Sequence, residues 1–89
     1  METITLTFDI PENKKMDGGQ ISELRQEMAL HLDKDLREAG VGKWCGGLQS
    51  LGRIKIFLAI DSCREALPVI KDTLKDHWLL PAMKIRRLR

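Results

Sequence analysis

The chain has few of the side chains on which metal centres, disulfide frameworks and most catalytic sites depend. Its 89 residues include two cysteines, two histidines and no tyrosine. A structural zinc site needs about four ligands, and a disulfide framework needs several cysteine pairs. We therefore expect reduced thiols at Cys45 and Cys63, and we expect neither a metal nor a cofactor. No residue set suited to acid–base or nucleophilic chemistry stands out, so an enzyme is not expected.

Long apolar segments are also missing. The uninterrupted apolar runs span only a few residues, whereas a membrane-spanning helix needs about 20. No positively charged segment followed by an apolar stretch opens the chain, so a secretory signal is not expected either. These absences favour a cytoplasmic protein with no membrane contact.

The first half of the chain contains two segments with clear periodicity. Residues 3–10 alternate apolar and polar side chains, which is typical of a strand with one buried face. Between about residues 20 and 39 the apolar side chains recur every three or four positions, which predicts an amphipathic helix. Gly40 follows at the position that commonly ends a helix.

A glycine-rich hairpin is predicted next. Four glycines lie between residues 41 and 52. They favour a short strand at residues 43–46, followed by an irregular turn at residues 47–52. Residues 53–60 alternate strictly again and predict a long strand with one buried face.

A second helix and a last strand complete the chain. Ser62 and Glu65 have the spacing of a capping box, which predicts a helix start. Pro68 is unfavourable inside a helix, so either the first turn is distorted or the regular helix begins just before Pro68. The helix is predicted to end in the segment 77–81. Residues 83–88 then predict a short basic strand.

This order of elements predicts a single domain over residues 1–89. The order β-α-β-β-α-β indicates an α+β fold of the ferredoxin-like split β-α-β type, with a four-stranded antiparallel sheet and both helices on one face. The first and third strands each have one apolar face, so the other sheet face should be open. These two strands are predicted to be the longest and to form the central pair. The short strands near residues 44 and 85 would be the edges.

The open face is predicted to be polar and basic. It would carry Thr3, Thr5 and Thr7 from the first strand and Phe57 from the third. An RNA-recognition domain stacks bases on two or three aromatic side chains of its central strands, whereas here only Phe57 points outward. A nucleic-acid-associated module is still one candidate function, since the last strand is basic. Its binding residues would be Arg53, Lys55, Lys84, Arg86 and Arg87.

Charge is unevenly spread along a chain of formal net charge +2. Residues 1–40 hold nine acidic and five basic side chains, and residues 41–89 hold four acidic and ten basic ones. The acidic first helix suits contact with a basic partner protein. A tryptophan beside flexible glycines suits an interface anchor. The predicted protein-binding residues are Trp44, Glu23, Glu27, Asp35 and Phe57.

Three segments of the chain carry a resemblance to a known group of proteins. They are G-V-G-K-W-C-G-G at 40–47, R-I-K-I-F-L-A-I at 53–60 and A-L-P-V-I-K-D-T-L at 66–74. In these segments the chain resembles small stand-alone bacterial ferredoxin-like proteins. Some members of that group are similar to immunity proteins, which neutralise a partner toxin by binding it. The resemblance implies a non-enzymatic role and assigns no functional residue.

The leading functional hypothesis is therefore a binding protein of the immunity or inhibitor type, which neutralises or regulates a partner protein. The nucleic-acid module using the open sheet face and the basic C-terminal strand is the alternative. A third possibility is a small regulatory domain that binds a metabolite or forms a homodimer through its sheet.

Overall fold

The computed structural model describes residues 2–50 and 52–88, and its elements follow the order β-α-β-β-α-β. The four strands form one antiparallel sheet in the order β2-β3-β1-β4. This arrangement confirms the predicted α+β fold of the ferredoxin-like type, with the first and third strands at the centre. The elements are β1 (Glu2–Asp9), α1 (Gly18–Glu38), β2 (Gly42–Ser50), β3 (Arg53–Ile60), α2 (Cys63–Thr73), a short 3₁₀ turn (Leu80–Ala82) and β4 (Met83–Leu88).

The core lies between the sheet and the two helices. Alternate residues of the two central strands face each other across this surface, with Ile4 opposite Leu58 and Leu6 opposite Ile56. These side chains are fully buried, as is Met28 of α1 to within a few per cent. Burying one such side chain contributes about 1.5–3 kcal/mol. The helices thus cover one sheet face, and the other face is left open. The buried helix residues are Ile21, Met28, Ala29, Leu32, Leu36, Cys63, Ala66 and Ile70.

A capping box starts α1. The Asp17 carboxylate accepts a hydrogen bond from the Gln20 backbone N–H at 2.8 Å, and the Gln20 side-chain oxygen accepts one from the Asp17 backbone N–H at 3.0 Å. The capping box predicted at Ser62 is wrong, because the Ser62 side chain makes no capping hydrogen bond. Instead, the Cys63 backbone N–H donates to a Glu2 carboxylate oxygen at 3.2 Å. The first turn of α2 is thereby tied to the start of β1.

α2 differs from its prediction in two respects. It runs unbroken through Pro68, which lies on the exposed side of the helix. Proline has no N–H, so one backbone carbonyl of the helix lacks its usual partner. On the exposed side this carbonyl can bind water, and the helix can therefore begin before Pro68 without distortion. The helix ends at Thr73, earlier than the predicted segment 77–81.

β2 is also much longer than predicted. It covers Gly42–Ser50 and is the longest strand of the described residues, so the expectation of a short strand at 43–46 and a long turn is wrong, and so is the expectation that the first and third strands are the longest. Of the predicted turn, Gly52 does lie in a turn and Leu51 lies outside the described residues. The strand contains a bulge between Trp44 and Gly46. Glycines in β2 allow its backbone to lie close to β3. A Cβ at Gly47, for example, would lie only 2.7 Å from the Lys55 carbonyl oxygen.

Replacement of Gly42 tests this packing. In Gly42→Ala the added carbon would lie 2.7 Å from the Ala59 carbonyl oxygen and 2.8 Å from Cγ2 of Ile60. We expect the free energy of unfolding in urea to fall by about 1–3 kcal/mol, because the strands must move apart. Gly18→Ala is the matched control, since its added carbon meets nothing within 4 Å, and its effect should stay within about 0.5 kcal/mol. Equal losses in the two variants would contradict the close approach.

Candidate functional site

The open face is the sheet surface opposite the helices, and it contains a shallow depression of about 410 Å³. The depression draws on all four strands, so it exists only once the sheet has formed. Four of the five predicted nucleic-acid-binding residues and Phe57 of the predicted protein-binding set meet here. Its lining consists of Thr5, Thr7, Asp9, Leu48, Arg53, Lys55, Phe57, Lys84 and Arg86.

Strand register orders these side chains into rows. In the central row Thr5 of β1 stands between Phe57 of β3 and Arg86 of β4. In the next row Thr7 stands between Lys55 and Lys84. Neighbouring strands lie about 4.8 Å apart. A long side chain in one row can therefore reach the threonine at the centre of the other row.

Asp9 partly offsets the positive charge on one side of the open face. Its carboxylate accepts a hydrogen bond from Arg53 Nε at 2.8 Å, and Lys84 Nζ lies 3.8 Å from its other oxygen. The Arg53 hydrogen bond, helped by the positive charges of Arg53 and Lys84, outweighs desolvation and lowers the pKa of Asp9 below its ordinary value. Within the described residues, no carboxylate lies within 4 Å of Lys55 or Arg86. Lys55 and Arg86 are therefore the cations of this face that have no carboxylate partner, while Arg53 and Lys84 share one.

Thr5 places an unsatisfied hydroxyl at the centre of this face. The residue is only 6% exposed, and its Oγ1 has no hydrogen-bond partner among the described residues. Buried polar groups in folded proteins are almost always hydrogen-bonded, and leaving one unmade costs about 1–3 kcal/mol. An orphan hydroxyl beside two unpaired cations is therefore a feature that a bound group would relieve.

Apolar surface borders the positive charge on the β2 side. Leu48 is 61% exposed and lies opposite Lys55. Phe57 is half-buried and lies opposite Gly46, which has no side chain to cover the ring. Sequence reasoning missed Leu48 because it placed that residue in a turn, where no face can be assigned.

Arg87 lies apart from the other predicted basic residues. It pairs with Ile4, whose side chain is in the core, so Arg87 points to the helix side of β4. Its guanidinium lies 3.7 Å from the Glu2 carboxylate on that side. The structure therefore groups Arg53, Lys55, Lys84 and Arg86 without Arg87. Alternation along the strand is the sequence signal that separates them, because neighbouring strand residues point to opposite faces.

The remaining predicted protein-binding residues do not form one surface with Phe57. Glu23 and Glu27 are exposed on α1, on the other side of the sheet. Asp35 is half-buried between the helices, where its carboxylate accepts a hydrogen bond from the Thr73 hydroxyl at 2.6 Å. Asp35 is thus engaged in joining the two helices.

Trp44 packs against the core on the helix side of β2. Its indole N–H donates to the Gly46 carbonyl at 2.8 Å, and its backbone N–H donates to the Asp33 carboxylate at 2.9 Å. Asp33 also accepts a hydrogen bond from Arg37 Nε at 2.8 Å. The Trp44–Asp33 hydrogen bond therefore attaches the edge strand β2 to α1. The indole ring of Trp44 is half-buried.

The described part of the chain offers little for metal or thiol chemistry. Residues 2–50 and 52–88 contain no group of three or more histidine, cysteine, aspartate or glutamate side chains that could hold a metal ion. Both cysteines are free, with Cys45 exposed and Cys63 buried. None of the described helices has the length and apolar character needed to cross a membrane. Comparison with protein-family models, curated proteins and solved structures gave no match.

The Asp33 contacts predict a pH dependence of stability. The pKa of Asp33 is lowered from 3.8, chiefly by the hydrogen bond from the Trp44 backbone N–H and further by Arg37. A lowered folded-state pKa adds stability that is present above 3.8 and is lost as the pH falls below that value. We expect Asp33→Asn to lower the free energy of unfolding at pH 7 by about 1 kcal/mol. The variant should also lose less stability than the wild type between about pH 4 and pH 2.

Urea unfolding across this pH range checks the prediction. Asp72→Asn is the control, because the Asp72–Lys75 pair is exposed and 3.9 Å long, and such pairs contribute only about 0–1 kcal/mol. Identical pH profiles for the wild type and Asp33→Asn would show that the Asp33 carboxylate does not hold the edge strand.

Proposed function

We propose that this is a non-enzymatic binding protein of the immunity or inhibitor type, which docks an acidic protein surface on its open sheet face. The observation that carries the proposal is the meeting of unpaired positive charge and exposed apolar side chains around one depression. Lys55 and Arg86 supply the charge, and Leu48 and Phe57 supply the apolar contact. Protein interfaces are enriched in aromatic side chains and arginine. Neutralisation or regulation of the partner would follow from covering its acidic surface.

This proposal moves the predicted contact from the acidic helix to the sheet. Of the acidic residues predicted for contact with a basic partner, Asp35 is hydrogen-bonded within the protein, and Glu23 and Glu27 stay exposed on α1. The open face offers the opposite charge and a continuous surface. The proposed partner is therefore acidic.

Counting charges favours a protein partner over a nucleic acid. The four cations of this face and the single carboxylate of Asp9, which lies near two of them, leave a net charge of three. Each phosphate neutralised on a single strand contributes about −0.7 to the slope of log K against log salt, so three contacts give only about −2.1. One stacked base on Phe57 would add about 1–3 kcal/mol. Such a site would hold a nucleic acid weakly at physiological salt.

Residence in the cytoplasm belongs to the same proposal. Both cysteines are free, and Cys45 is exposed. A reducing compartment keeps such thiols unpaired.

Photo-crosslinking from the two sides of the sheet tests the proposal. The photoreactive residue p-benzoylphenylalanine replaces Leu48 on the open face in one sample and Leu30 on α1 in the other. These side chains are similarly exposed, at 61% and 51%. We expect a protein adduct from position 48 in lysate of the source cells, and none from position 30. Mass spectrometry then identifies the partner, which is purified for binding measurements.

Charge reversal supplies the second arm. Lys55→Glu combined with Arg86→Glu should slow association with the purified partner at least about tenfold at low salt, because steering of the acidic surface is lost. Lys71→Glu combined with Lys75→Glu reverses two exposed charges in and just after α2 and is the matched control. Unchanged association of the open-face variant, or equal adducts from positions 30 and 48, would refute the proposal. Adducts that disappear after nuclease treatment would assign the face to nucleic acid instead.

A further inference from the structure

We infer that Thr5, Arg86 and Lys55 form a seat for one oxyanion, which the partner supplies as a carboxylate or as a phosphorylated side chain. The inference rests on the proposed function and deepens it, since it names the group that the open face recognises. Among the described residues of this face, Thr5 is the one that is both polar and buried.

Thr5 differs from its neighbours on the same strand. Thr3 and Thr7 are half-buried and can bind water, whereas Thr5 is 6% exposed with an unpartnered Oγ1 among the described residues. An apolar residue of the same shape would avoid the desolvation penalty altogether. The Thr5 hydroxyl stabilises the protein only when it donates a hydrogen bond to a bound acceptor. A hydrogen bond to an ionised acceptor is stronger than one to a neutral acceptor.

Charge around Thr5 defines the acceptor. Arg86 is the cross-strand neighbour of Thr5 on β4, and Lys55 is its diagonal neighbour on β3. Arg53 and Lys84 share the Asp9 carboxylate at one end of the depression. An oxyanion above Thr5 would meet Arg86 and Lys55, and among the described residues no carboxylate lies within 4 Å of either cation.

Arginine geometry completes the seat. The planar guanidinium donates two parallel N–H bonds to a carboxylate or phosphate. The Arg86 side chain is exposed, so it can swing away to admit the oxyanion to the shielded Thr5 hydroxyl and then close over it. Phe57 flanks Thr5 on the β3 side of the same row.

Titration with small anions tests the seat without the partner. The ¹⁵N-labelled protein is titrated with sodium acetate and, separately, with inorganic phosphate, with sodium chloride keeping the ionic strength constant. We expect saturable amide shifts centred on Thr5, Phe57 and Arg86. Thr5→Val removes the hydroxyl and keeps the shape, and it should weaken binding about tenfold. The control Thr3→Val alters the same strand and face outside the depression and should leave the affinity unchanged.

Thermal stability gives an independent readout. Without added anion, Thr5→Val should melt a few degrees higher than the wild type, since the orphan hydroxyl is gone. Acetate or phosphate should reduce the difference in melting temperature between the two proteins, because the anion stabilises only the wild type. Arg86→Gln and Lys55→Gln change side chains on the surface and replace Thr5→Val in the binding test if that variant does not fold. Each should weaken anion binding severalfold. The better-bound anion shows whether the partner offers a carboxylate or a phosphoryl group.

Three results would overturn the seat. They are shifts spread over all lysines and arginines, identical affinities for Thr5→Val and Thr3→Val, and full affinity in Arg86→Gln. Failure here is distinguishable from failure of the proposed function. A partner crosslinked from position 48 by a protein that binds neither anion would keep the function and remove the seat. Specific anion binding by a protein that gives no such adduct would keep the seat and remove the proposed function.

Discussion

The one-sided burial of the central strands is the constraint on which the rest of this structure depends. β1 and β3 alternate apolar and polar residues in the same phase, and their register places apolar against apolar, as with Leu6 and Ile56. A shift by one residue would move every core side chain into water. Both helices must therefore cover the same face, and the opposite face is left to other uses.

Polar residues on the open face then do not serve the core. Asp9 and Arg53 form a close ion pair at one end of the central strands, while Thr5 carries a buried hydroxyl without a partner at the centre. The first arrangement reduces the charge of the face and the second adds an unsatisfied group. Natural proteins depart from full polar satisfaction chiefly where a site needs it, and this departure lies beside the unpaired Lys55 and Arg86.

The β2 edge is held by means that differ from those of the central strands. Its glycines allow its backbone to approach β3 closely, and Gly47 has the Lys55 carbonyl where a side chain would stand. The strand has no row of buried aliphatic side chains, and side-chain hydrogen bonds such as the one between Asp33 and the Trp44 backbone N–H join it to α1. Trp44 takes part in this attachment through its backbone, and its indole N–H bonds within its own strand.

The amino-acid sequence by itself determined the order of elements, the central pair of strands and the faces of Thr5, Lys55 and Phe57. These features follow from periodicity over a few residues, which reports burial directly. Only the tertiary structure decided the length of β2, the pairing of Asp9 with Lys84 and the isolation of the Thr5 hydroxyl. Each depends on register between segments up to about 80 residues apart in the chain, and no local pattern encodes which side chain will stand opposite which.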